Sequence, residues 1–95
     1  MAADLTELRR LIDGIDDRLL DLLAERIAVA ERVAAYKRTT GIAVRLPDRI
    51  EAVKARCAER GAARGLDPAY VREIWSRIIE ETCRLEERLI GETAV

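Results

Sequence analysis

Arg26 and Lys37 lie eleven residues apart in the stretch LLAERIAVAERVAAYKR, whose apolar residues recur at helical spacing. At about 100° per residue the two cations differ by only about 20°, so they share one helix face about 16 Å apart. Ala30 and Val33 lie between them on that face. Further along, Ile79, Thr82 and Glu86 repeat the pattern, placing a hydroxyl and a carboxyl among apolar neighbours. Arg49 stands beside Ile50 at the start of another apolar segment. Burying charge is costly unless it is paired. Cations turned inward without enough carboxylates point to an anionic ligand, and guanidinium forks suit carboxylates in particular.

Other chemistries lack their residues. There is no histidine, and Cys57 and Cys83 have no C-x-x-C spacing. Zinc sites, Ser-His or Cys-His nucleophiles and a histidine proton shuttle are therefore not expected. The five glycines are scattered and form no phosphate loop, so neither metal nor cofactor is expected. A net charge of −1 gives no field to draw in nucleic acid or an anionic membrane. Tyr36, Tyr70 and Trp75 are the only aromatic residues, too few for base stacking. The opening MAADLTELRR has no apolar signal region, and no stretch approaches 18 apolar residues, so the chain reads as cytoplasmic.

The elements that must hold these residues are helices. Leu5, Leu8, Ile12, Ile15, Leu19, Leu22, Arg26, Val29, Val33 and Tyr36 keep a 3-4 spacing, which predicts one long helix. Thr6 is the expected cap, TTG at 39–41 the stop, and Gly14 the expected site of a close helix crossing. GIAVRLP reads as a loop. A second helix is predicted over 48–60, with Ile50, Val53 and Cys57 inward, broken by GAARG. Asp67 and Pro68 are the N-cap and first position of a third, with Val71, Trp75, Ile78, Ile79, Leu85 and Leu89 inward. The fold class is all-α: residues 1–95 as one domain of three unequal helices, one long, one short and one medium. A first helix of about 50 Å outruns the roughly 30 Å breadth of a compact chain this size. It needs a partner, most simply a second copy of the chain.

Arg9 is set apart, about 25 Å from Arg26 and about 100° round the same helix. It cannot grip the same small molecule from its own chain, but it could from the partner in an antiparallel dimer. Each charge also has a plain structural reading. Arg26 could snorkel to solvent or pair with Glu86, Lys37 could complement the helix dipole, and Thr82 could bond back to its own backbone. Taken on residues alone, the chain is a helical dimer with an anion pocket.

The same positions carry a resemblance. LRRLIDGIDDRLLDLLAER with its terminal arginine, YK eleven residues on, PDRI, and GLDPAYVREIWSRIIEETCRLEE resemble the all-helical class of chorismate mutases over about residues 5–90. The resemblance implies an intertwined homodimer with two sites shared between subunits. It also implies an isomerase of shikimate-derived, aromatic amino acid metabolism acting on a small dicarboxylate. Carried over by position, Arg9 reaches in from the partner, Arg26 and Arg49 hold the two substrate carboxylates, and Lys37 sits on the ether oxygen. Thr82 stands where a serine helps hold a carboxylate, and Glu86 where glutamine or glutamate occurs. Such a site performs a pericyclic [3,3] rearrangement by selecting a compact conformer and placing cations where the breaking C–O bond leaves negative charge. A bare carboxylate at Glu86 would repel that oxygen, so Glu86 is expected to act protonated.

Two positions depart from the usual pattern. Ile50 replaces a glutamate that binds the ring 4-hydroxyl, and Leu46 replaces an aspartate. The P-x-R-[IV] pattern and the CRLEE stretch resemble 4-amino-4-deoxychorismate mutases, which act on the 4-amino substrate. Ile50 also resembles isochorismate pyruvate lyases, which release pyruvate to give salicylate. The expected activity is a mutase on chorismate or its 4-amino analogue; a lyase or a non-catalytic dimerisation module is the alternative.

Overall fold

The structure is a computed structural model that describes residues 4–93. It consists of three helices, α1 (Leu5–Thr40), α2 (Pro47–Ala62) and α3 (Pro68–Thr93), with no strand among the described residues. The expected all-α class and the order of one long, one short and one medium helix hold.

The helix ends follow from local chemistry. Asp4, not Thr6, caps α1: its side chain accepts from the Glu7 amide at 2.8 Å while Thr6 lies within the first turn. Aspartate one residue before the first helical position captures a free N–H that a residue inside the turn cannot reach. Gly41 ends α1 in the left-handed region at φ 74°, and its amide bonds to the Lys37 carbonyl at 2.8 Å. Pro47 and Pro68 begin α2 and α3, each with its preset φ and no amide to leave unsatisfied. Asp67 accepts from the Ala69 amide at 3.0 Å, as its expected capping role requires.

The second helix runs two residues past its expected end, through Gly61 and Ala62, and the chain turns at Gly65 with φ +80°. Within the chain, the close helix crossing lies here too. A Cβ on Gly61 would meet Val71 Cγ2 at 2.7 Å, whereas one on Gly14 would meet nothing within 4 Å. Gly61 lets the first turn of α3 lie directly on α2.

α3 packs against both α1 and α2, and those two do not pack on each other. The buried apolar residues are few and mostly small: Ala30, Ala34, Ala58, Val71, Ile79, Cys83 and Leu85. On α1 it is Ala30 and Ala34 that meet α3, so the 29/33/36 stripe is turned partly outward, with Val29 and Tyr36 exposed. Every residue from Asp4 to Glu25 is exposed. The chain measures 61 × 25 × 15 Å, with a radius of gyration of 17.2 Å, against about 12 Å for a compact chain of this length. As its length required, the first helix outruns what its own chain can cover.

Candidate active site

The small residues on the inner face of α1 leave room for a pocket. Where Ala30 stands between Arg26 and Lys37, the helices enclose about 300 Å³. α1 supplies Arg26, Val29, Ala30, Val33 and Lys37; the link supplies Val44 and Leu46; α2 supplies Arg49, Ile50 and Val53; α3 supplies Ile79, Thr82, Cys83 and Glu86. Of the residues singled out from sequence, Arg26, Lys37, Arg49, Ile50, Thr82 and Glu86 come together here. Arg9 does not: it lies on the exposed N-terminal half of α1 and is absent from this lining.

The polar groups are partnered in a specific order. Arg26 Nη1 donates to Thr82 Oγ1 at 2.7 Å, and that hydroxyl donates to the Ile78 carbonyl at 2.9 Å. Thr82 thus bonds back to its helix and still holds Arg26 in place. Arg26 does not pair with Glu86, the structural alternative its sequence position allowed. Lys37 does: its Nζ lies 3.0 Å from Glu86 Oε1, with the two side chains 13% and 5% exposed. Lys37 also donates to the Val44 carbonyl at 2.9 Å.

Glu86 is the one buried charged residue among those described. Its Oε1 is close to the ammonium, but no donor is aligned with it for a hydrogen bond. Buried polar atoms are nearly always satisfied, and this one lies against the Lys37 ammonium at the pocket wall. Arg49 is exposed and makes no ion pair or hydrogen bond within the described residues, leaving its whole fork available. Three cations against one carboxyl suit a ligand carrying two negative charges.

The remaining lining is apolar, which lowers the local dielectric and strengthens each charge contact. Cys83 is buried against it, and burial pushes its thiol above the ordinary range. That thiol is therefore neutral near pH 7 and is no nucleophile. Two contributors are not among the residues singled out from sequence. The Val44 carbonyl is a backbone acceptor, invisible in residue type. Cys83 could have been found, because it is four residues after Ile79 and three before Glu86 on the same face.

Comparison with known proteins finds relatives over most of the chain. The family model described as chorismate mutase type II matches residues 8–87. A 4-amino-4-deoxychorismate mutase from Streptomyces pristinaespiralis is 40% identical over 87 residues, 92% of this chain and 67% of the relative. Another, from Streptomyces venezuelae, is 35% identical over 88 residues, 93% and 85% of the two chains. A chorismate mutase from Methanocaldococcus jannaschii is 31% identical over 93 residues, 98% and 94%.

Proposed function

This chain belongs to the type II chorismate mutase family and is an isomerase that rearranges chorismate or its 4-amino analogue; from that premise we propose that 4-amino-4-deoxychorismate is its preferred substrate, held in the pocket around Arg26 and Lys37. The preference rests on the two Streptomyces relatives and on the apolar Ile50 and Leu46 in the wall. The reading of the site rests above all on the half-buried Lys37 ammonium, held between Val44 and Glu86 in a pocket that also contains Arg26 and Arg49.

In the rearrangement a C–C bond forms as a C–O bond breaks, and no atom is gained or lost. Arg26, aimed by Thr82, and the free fork of Arg49 hold the two carboxylates, selecting the compact conformer in which the reacting carbons approach. Lys37 stabilises the negative charge that grows on the departing ether oxygen. Glu86, its carboxyl 3.0 Å from Lys37 Nζ, holds that ammonium toward the same oxygen. Glu86→Gln removes the countercharge behind Lys37 while keeping a hydrogen-bonding group of the same size. The variant's kcat should fall with KM near the parent's; an unchanged kcat would sink this role.

The active form is a homodimer. The exposed Leu8, Ile12, Ile15, Leu19 and Leu22 form an apolar stripe on α1 too large to leave in water. An antiparallel partner would cover it and bring its own copy of Arg9 to this pocket, completing two shared sites. A partner copy is also the economical reading of a small chain with so slight a core.

The test offers the purified protein chorismate, 4-amino-4-deoxychorismate and isochorismate separately, with products weighed by mass spectrometry. Fastest conversion of the 4-amino compound to an isomer of equal mass is the expected result. Faster turnover of chorismate would overturn the preference. Release of pyruvate from isochorismate would make the chain a lyase, and no turnover of any would leave a dimerisation module.

A further inference from the structure

We infer that Arg45, which does not line the pocket, is a positioning residue that aims the Lys37 ammonium by clamping the α1–α2 link to α3. The link from Gly41 to Leu46 has no helix of its own. Its two pocket-lining residues, Val44 and Leu46, flank Arg45, which points the other way. Arg45 grips two carboxylates on α3. Nη1 and Nη2 donate to the two oxygens of Glu80 at 2.8 and 3.1 Å. Nε and Nη2 donate to the two oxygens of Glu87 at 3.2 and 2.9 Å. Arg84 Nε adds a contact to Glu80 at 3.3 Å.

Glu80 and Glu87 are seven residues apart, two helical turns, and Glu87 directly follows Glu86. The clamp therefore runs along the flank of the α3 face that carries Ile79, Cys83 and Glu86 into the pocket. One residue before Arg45, the Val44 carbonyl accepts from Lys37 Nζ at 2.9 Å. The ammonium is thus fixed by two groups: Glu86, which α3 positions directly, and Val44, which α3 positions through Arg45. An isolated exposed ion pair contributes little to stability, but a planar fork shared by two carboxylates fixes geometry. A charge set to meet a transition state must be held to within about half an ångström by the groups behind it.

The inference rests on Lys37 acting at the reacting oxygen, and its test separates the two. Steady-state kinetics would compare the parent with Arg45→Ala, Arg45→Lys and the double change Glu80→Gln with Glu87→Gln. Misaiming Lys37 removes an interaction made mainly in the transition state. The expected result is a kcat lower by about tenfold to a hundredfold, with KM and melting temperature little changed. Arg45→Lys keeps the charge without the fork and recovers only part of the loss. Adding Arg45→Ala to the double change costs nothing further, because both break the same clamp. An unchanged kcat in Arg45→Ala overturns the inference. So does a loss shared by kcat, KM and melting temperature that Arg45→Lys fully restores.

A readout that needs no turnover is the Lys37 side-chain ammonium signal in nitrogen NMR, identified by its loss in Lys37→Ala. It should shift and broaden in Arg45→Ala. An unmoved signal overturns the inference, whatever the kinetics show. A parent that turns nothing over, with the signal still moving, would sink the reading of Lys37 and leave the clamp standing.

Discussion

The two halves of α1 are one continuous helix under opposite obligations. From Leu5 to Glu25 every residue is exposed, and large apolar side chains stand on the surface. From Arg26 to Lys37 the helix lies on α3, yet what it turns inward is alanine and charge. The half rich in leucine has no partner within its chain, and the half with a partner spends its inner face on a pocket. Apolar periodicity marks where a helix wants to be covered; it does not mark what covers it. Under the proposed function, the apolar positions of the first half serve assembly, whereas the inward positions of the second half serve chemistry.

The largest expected effect tests the second half alone. Lys37→Ala should lower kcat by about a hundredfold to a thousandfold, the cost of losing one group aimed at developing charge. Circular dichroism and particle mass should stay as they were; a change in mass would mean that chemistry and assembly are not divided between the halves. Ile15→Glu tests the first half. Sedimentation should show the mass halved, with turnover falling about tenfold or more as shared sites are lost.

A mixing experiment then asks whether the halves meet across the dimer. Arg9→Ala and Arg26→Ala proteins, each nearly inactive, are unfolded together and refolded. Half of the random dimers are mixed and each has one intact site, so about a quarter of parental activity should return. No recovery would place both arginines of a site on one chain, which the length of α1 opposes.

Smaller effects lie away from α1 and serve as controls. Gly61→Ala forces a methyl group against Val71 and should cost about 1–3 kcal/mol in stability, read from denaturant melts, with KM unchanged. The smallest effect is electrostatic. Hydrogen bonds from Arg45 hold Glu80 and Glu87 below the ordinary carboxylate value of 4.5. Groups with lowered folded values add stability above their unfolded range and lose it as pH falls through the lowered one. The parent should therefore melt slightly higher than Arg45→Ala at pH 7, and the gap should close in acid below pH 4.5. A gap that persists or widens in acid would contradict the assignment of that clamp.

Most of the architecture was legible because helix signals are local. The 3-4 spacing, Pro47, Pro68 and Gly41 set three helices to within two residues or so. The inward charges were legible as well, since Arg26 and Lys37 broke a pattern that Val29 and Val33 kept. What escaped is decided between elements. Periodicity names a stripe but not which edge of it meets a neighbour, so the closest packing on Ala30 and Ala34 was not foreseen. Gly14 and Gly61 look alike in sequence, and only the chain opposite tells them apart. Sequence offered Arg26 solvent or Glu86, and its bond to Thr82 instead depended on where α3 lay. The Arg45 clamp joins residues 35 and 42 positions apart, beyond the reach of any local rule.

That α3 alone touches both other helices has a consequence for how the protein is made. Synthesis completes α1 long before α3, the helix it packs on among the described residues, exists. The 53 residues from Gly41 to Thr93 (93 − 40) must follow, which takes about 3–10 s at about 5–20 residues per second. Through that interval a 36-residue apolar-striped helix waits on the ribosome with nothing of its own to rest against. Neighbouring ribosomes on one message hold identical stripes in the same condition. The interval between the first helix and the third is thus when chaperones, or a sister nascent chain, have the strongest claim on this protein.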